Sequence, residues 1–160
     1  MANYFLALDT SSALSSLALW HKGEVLESTQ HLPRAQAQAL LPQLNQLLAD
    51  AGIGLNQLTA IAYGKGPGSF TGLRIAAASA QGLGLALDVP LLGISTLEAL
   101  AWQAINKFNA QQVLTLIDAR MQEVYWASWQ AEGKLPKALQ AEALSAPAAI
   151  SLSTSTNQEW

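Results

Sequence analysis

Leu8-Asp9-Thr10-Ser11-Ser12 sets a carboxylate at the end of an apolar run and follows it with three hydroxyls. In sugar kinases such a turn holds a divalent ion or a nucleotide phosphate, which makes Asp9, Thr10 and Ser11 the candidates for that chemistry here. The same hydroxyls can instead satisfy the amides of the turn. A competent phosphate site of this type also needs a matching loop in a second lobe. Its counterpart, Asp118-Ala-Arg-Met121, has neither glycine nor hydroxyl to form a cradle.

The second candidate is Gly64-Lys-Gly-Pro-Gly-Ser-Phe-Thr-Gly-Leu-Arg74, between a strand and a helix, where backbone amides and the positive helix end could hold an anion. It is not a P-loop, because Lys65 is followed by Gly66 instead of Ser or Thr. Nor is it G-x-G-x-x-G, since Ser69 falls where the third glycine would stand. Its residues read better as a shaped, closely packed loop: Gly66-Pro67-Gly68 makes a rigid turn, and Ser69 or Thr71 caps the helix that follows. Acid–base and metal chemistry are poorly supplied. His21 and His31 stand in no ligand pattern and read as surface residues. No nucleophile elbow is visible.

These segments need elements to position them. Strands are expected at Tyr4–Asp9, Leu14–Trp20 and Glu24–Gln30, the last two joined through His21-Lys22-Gly23 as a hairpin. A helix follows with Ala37, Leu40, Leu41, Leu44, Leu47, Leu48 and Ala51 at steps of three and four, and Gly52 at its C-terminus. Then come a strand at Ala60–Tyr63, a helix over Thr71–Leu87, a strand at Pro90–Ile94 and a helix opened by Ser95-Thr-Leu-Glu98, which has the capping-box spacing. The order β-β-β-α-β-α-β-α fills residues 1–110 as a first lobe. The opening then restarts: Val113-Leu-Thr-Leu-Ile-Asp118 resembles Phe5-Leu-Ala-Leu-Asp9, and Val124–Trp129 alternates as a second strand expected to be sheet core. Residues 111–130 therefore read as the start of an incomplete second copy. Residues 131–160, rich in Ala and Ser, read as a poorly ordered remainder.

Composition narrows the function. Eight basic and eleven acidic residues give a net charge of −3, and the charged fraction of 12% is about half the globular norm. Such a chain is not expected to grip a phosphate backbone by itself. It has no cysteine, hence no disulfide framework or thiolate metal site. No apolar run reaches the roughly 20 residues that span a bilayer, and the start carries no secretory pattern, so a cytoplasmic protein is expected. The helix Thr71–Leu87 is small and apolar all round, which suits burial on two sides: one against its own sheet, the other against either a partner or the chain's own other helices. The expected partner-facing residues are Leu40, Leu44 and Leu47 of the first helix, with Ile75, Ala76, Ser79, Ala80 and Leu83 of the second.

Leu6-Ala-Leu-Asp-Thr-Ser-Ser12, Pro33-Arg34 leading to Leu40-Leu41-Pro42, Gly93-Ile-Ser-Thr-Leu-Glu98, Ile117-Asp-Ala-Arg-Met-x-Glu-Val-Tyr125 and above all Gly66-Pro67-Gly68-Ser69-Phe70-Thr71-Gly72-Leu73-Arg74 resemble the TsaB (YeaZ) family over about residues 3–130. The resemblance implies an α/β, actin/hexokinase/Hsp70-like (ribonuclease H-like) fold of two similar lobes. It implies a non-catalytic role in making threonylcarbamoyladenosine beside the tRNA anticodon, through a heterodimer with the paralogue TsaD, joined by the ATPase TsaE; homodimers also occur in the family. ATP and the metal ion would belong to that complex, with no cofactor of this chain's own, and tRNA would be met only through the complex. The paralogue's metal-binding His-x-x-x-His would fall at Arg34-Ala-Gln-Ala-Gln38, which offers no imidazole. Asp9, Thr10 and Ser11 would then be a vestigial phosphate loop, and the family's second lobe extends further than this sequence. The competing reading is an actin-fold ATP-binding phosphotransferase or ATPase using Asp9 and Thr10.

Overall fold

The structure, a computed structural model, describes residues 3–150. It divides into two compact units between Thr96 and Leu97. The first is built on a five-stranded sheet of β1 (Tyr4–Asp9), β2 (Leu14–His21), β3 (Glu24–His31), β4 (Leu58–Gly66) and β5 (Leu91–Ser95), in the order β3-β2-β1-β4-β5. β1, β2 and β3 are antiparallel neighbours, and β1, β4 and β5 run parallel. The parallel connections pass through α1 (Gln36–Asp50) and α2 (Phe70–Leu87).

Alternation in β1 and β2 sends Leu6, Leu8, Leu17 and Leu19 to one face. There they meet Leu40, Leu44, Leu47 and Leu48 of α1 and Ala76 and Ala80 of α2 in a single core with Leu58 and Ile61. α1 stops where Gly52 takes up a left-handed conformation (φ 67°), which costs glycine nothing in side-chain clash. Two buried glutamines interrupt its leucine stripe. Gln43 donates to the Ser15 and Ser28 carbonyls and accepts from the Ser15 hydroxyl, so α1 is hydrogen-bonded to the β2–β3 hairpin as well as packed on it.

The second unit holds α3 (Thr96–Phe108) and a sheet of β6 (Gln112–Arg120), β7 (Glu123–Glu132), β8 (Leu135–Ala138) and β9 (Ala143–Ser145). β7 is central, with β6 on one side and β8 and β9 on the other. Leu97 and Ala101 of α3 pack with Ala127 and Trp129. Trp126 lies on the opposite face of β7 and is also buried, as expected for sheet core. Both indoles find acceptors: Trp129 Nε1 donates to Thr115 Oγ1 at 2.8 Å, and Trp126 Nε1 to Ser145 Oγ at 3.0 Å.

The unit boundary differs from the one expected near residue 110, because α3 shares its core with β7. Residues 131–150 are also more structured than their composition suggested. Extension of β7 to Glu132 provides a template on which β8 and β9 pair, and ladder hydrogen bonds outweigh weak intrinsic preference. The expectation of disorder for 151–160 lies outside the described residues. No helix among the described residues is long and apolar enough to cross a membrane.

Candidate functional site

The turn after β1 is closed from three directions. Asp9 Oδ1 accepts the Ser11 amide at 2.9 Å and the Ser11 hydroxyl at 2.8 Å. Thr10, fully buried, donates its hydroxyl to the Gly72 carbonyl at 2.6 Å. The Ser11 carbonyl accepts the Ser69 amide at 2.7 Å, and the Ser12 carbonyl accepts Gln36 Nε2 at 2.8 Å. Every hydroxyl and carboxylate oxygen used here serves the protein's own framework.

The glycine-rich segment makes that closure possible. A Cβ at Gly72 would stand 1.8 Å from the Thr10 carbonyl oxygen, one at Gly64 would stand 1.9 Å from Asp9 Oδ2, and one at Gly68 would stand 2.7 Å from Ser11 Cβ. All three distances are inside van der Waals contact, so these glycines exist to let the loop lie against the Asp9 turn. Gly66 has φ 102° and begins the reversal into α2. Ser69 caps the helix, its Oγ accepting the Gly72 amide at 3.4 Å; Thr71, the alternative cap, is exposed. Phe70 is exposed, and the Arg74 guanidinium stacks 3.6 Å over its ring, a pairing that the i, i+4 spacing permits.

Gly64, Gly68 and Gly72 bring the loop close against this turn, and the Thr10 and Ser11 hydroxyls donate to the Gly72 carbonyl and to Asp9 Oδ1. The turn is a structural clasp between β1, α1 and α2. The sequence pattern marks its other members but not Gln36, which reaches the Ser12 carbonyl, nor Gln43, which ties α1 to the β2–β3 hairpin; the signal available was two glutamines seven residues apart on a leucine stripe.

Five of the eight expected partner-facing residues lie in the first unit's own core. Leu40, Leu44, Leu47, Ala76 and Ala80 are buried in the first unit's own core, and Ile75 and Leu83 pack against it half-buried; Ser79 is also half-buried. Helical spacing located an apolar stripe but could not say that the chain's own sheet would take it. Besides Phe70 at the start of α2, the large apolar side chains that face outward are Leu41, 51% exposed, on α1 and Leu85, 88% exposed, on α2. Along α2 the exposed stripe also includes Ala78, Gly82 and Ala86, and a Cβ at Gly82 would meet nothing within 4 Å.

The second unit repeats the Asp9 turn in reduced form. Asp118 lies 109 residues after Asp9, and its Oδ1 accepts the Arg120 amide at 2.8 Å, the same i to i+2 bond that Asp9 makes to Ser11. Its side chain is 71% exposed, beside the Arg120 guanidinium at 3.8 Å. Arg120, Met121 and Gln122 all have positive φ, and Met121 at the hairpin tip is 91% exposed.

A β-β-β-α-β-α-β lobe clasped at the strand-end aspartate, followed by a second hairpin with the same aspartate turn, defines the α/β, actin/Hsp70-like class. A family model described as TsaD, tRNA N6-adenosine threonylcarbamoyltransferase, matches residues 29–159. The tRNA threonylcarbamoyladenosine biosynthesis protein TsaB of Escherichia coli is 46% identical over 125 residues, covering 78% of this chain and 54% of that protein. The TsaB of Haemophilus influenzae is 45% identical over 122 residues, covering 76% and 52%. The solved structure of YeaZ from Pseudomonas aeruginosa superposes with a TM-score of 0.88 at 42% identity, covering 94% of this chain and 71% of that one. The chain belongs to the TsaB (YeaZ) family of TsaD-type domains. It spans about half the length of the curated relatives it matches.

Proposed function

We propose that this chain serves tRNA threonylcarbamoyladenosine formation as a non-catalytic partner subunit, pairing through α1 and α2 with the threonylcarbamoyltransferase paralogue TsaD, with the ATPase TsaE joining them. The observation that carries the reading is the outer surface of those helices. Leu41 and Leu85 project outward from helices whose inner faces are already packed, and Ala78, Gly82 and Ala86 lie level enough for another helix to approach closely. The clasped Asp9 turn supports the non-catalytic part, since its polar groups hold the fold together. ATP, the metal ion and tRNA contacts would then lie with the partners; the alternative is a phosphotransferase or ATPase using Asp9 and Thr10.

Co-purification with TsaD, with tRNA modification assayed with and without this chain, tests the proposal. Leu85→Glu and Leu41→Glu should each change stability by less than about 0.5 kcal/mol, as surface substitutions do. Together they should abolish the heterodimer in gel filtration. Ala80→Glu is unsuitable as a probe, because it buries a charge in the core and would unfold the lobe. A double variant that is folded and still pairs would refute the surface. Micromolar ATP binding by the chain alone, in isothermal titration with Mg²⁺, would favour the enzyme reading.

A further inference from the structure

α2 carries charge only near its ends. Arg74 lies one turn in from its start, Asp88 caps its end, and Ile75–Leu87 between them contains no charged residue. At 3.6 residues per turn, Arg74, Leu85 and Asp88 fall within about 60° of one another around the helix, and the two charges stand about 21 Å apart along its axis. All three are exposed. The outward line of α2 therefore runs from a cation, past an apolar side chain, to an anion.

Asp88 works against the preferences of its own fold. It takes a left-handed backbone (φ 53°) at the negative end of the helix, where glycine or asparagine would relieve the backbone and a cation would complement the dipole. The ion pairs among the described residues are Asp118–Arg120 and Glu132–Lys137, so neither Asp88 nor Arg74 has one. Arg74 lies over the Phe70 ring, which holds the plane of its guanidinium while its N–H donors stay open at the rim.

We propose that Arg74 and Asp88 are the polar ends of the partner-facing surface of α2: the partner presents a carboxylate to Arg74 and a lysine or arginine to Asp88, with apolar side chains over Leu85 between them. The inference rests on the proposed pairing with TsaD and adds the charges that select the partner and fix its register. A planar guanidinium held in place suits a carboxylate that accepts two bonds at once. Opposite charges at the two ends of an uncharged stretch reject a partner that arrives reversed, because it would meet like charges.

Isothermal titration of the full chain into TsaD tests the assignment. Arg74→Gln and Asp88→Asn should each raise Kd about tenfold at low salt, and the gap to the unsubstituted chain should narrow as salt rises. Asp88→Asn should also raise Tm by about 2 °C, because asparagine accepts the left-handed backbone and takes a carboxylate away from the C-terminal end of the helix. Weaker pairing by a more stable chain cannot come from a damaged fold. Lys22→Gln, in the β2–β3 turn, should leave Kd unchanged. If either α2 variant binds TsaD as tightly as the unsubstituted chain, this inference is overturned and the pairing itself stands; if the unsubstituted chain does not bind, both are overturned. A lower Tm for Asp88→Asn would also overturn it. So would self-association of the chain alone, by sedimentation, that depends on Arg74 and Asp88 while TsaD binding does not.

Discussion

Asp9 and Asp118 begin the same way and end in opposite circumstances. Each stands at the end of the first strand of its sheet and accepts the amide two residues on. Around Asp9 the chain adds a glycine loop, a buried threonine and the Gln36 amide, until the turn joins three elements. Around Asp118 it adds a tight hairpin of three non-glycine residues in the left-handed region, with its tip in solvent. The contrast shows that a duplicated local motif does not carry its tertiary role with it. What surrounds the turn decides whether it is a clasp or a free loop.

The largest test of that contrast is Gly72→Ala, which sets a methyl against the Thr10 carbonyl and should cost about 4 kcal/mol in urea unfolding, or prevent folding of the first unit. Gly133→Ala, at φ 64° with nothing within 4 Å, should cost only about 1 kcal/mol for its left-handed backbone. Comparable losses would mean that the loop is not closely packed. Next, Thr115→Val should remove about 2 kcal/mol by leaving the buried Trp129 indole without an acceptor, with Trp fluorescence reporting the transition. The two turns can be compared directly by Asp9→Ala and Asp118→Ala. The first removes two partly buried bonds and should cost about 1.5 kcal/mol, the second about 0.5 kcal/mol from an exposed one. Equal costs would dissolve the distinction between clasp and free turn. One change is a gain: Met121→Asn with Gln122→Gly, residues that accept positive φ in a hairpin, should stabilise the second unit by about 0.4 kcal/mol.

Much of the first unit was legible because its signals are local. Alternation in β1 and β2, the three- and four-residue steps of α1 and the glycine after it all depend on neighbours in sequence. The glycine loop was legible as a packed loop, since Gly66-Pro67-Gly68 and the Ser69 cap need only short-range geometry. Its purpose was not, because Gly64 and Gly72 are explained by Asp9 and Thr10, more than fifty residues away. That five of the eight expected partner-facing residues lie in the core was not legible for the same reason. Leu44 and Leu41 are equally apolar, and only the position of the sheet separates a core residue from a surface one.

By itself the sequence determined the order of elements as far as β7, the β2–β3 hairpin and the existence of a second aspartate turn, all of which depend on backbone preference and periodicity within a few residues. Tertiary structure alone decided which leucines face inward, that the Asp9 turn is closed by glycines from a distant loop, and that β8 and β9 form on β7. Those outcomes depend on which surfaces meet in space, and the excluded volume and hydrogen bonding of a distant neighbour are written nowhere in the local pattern.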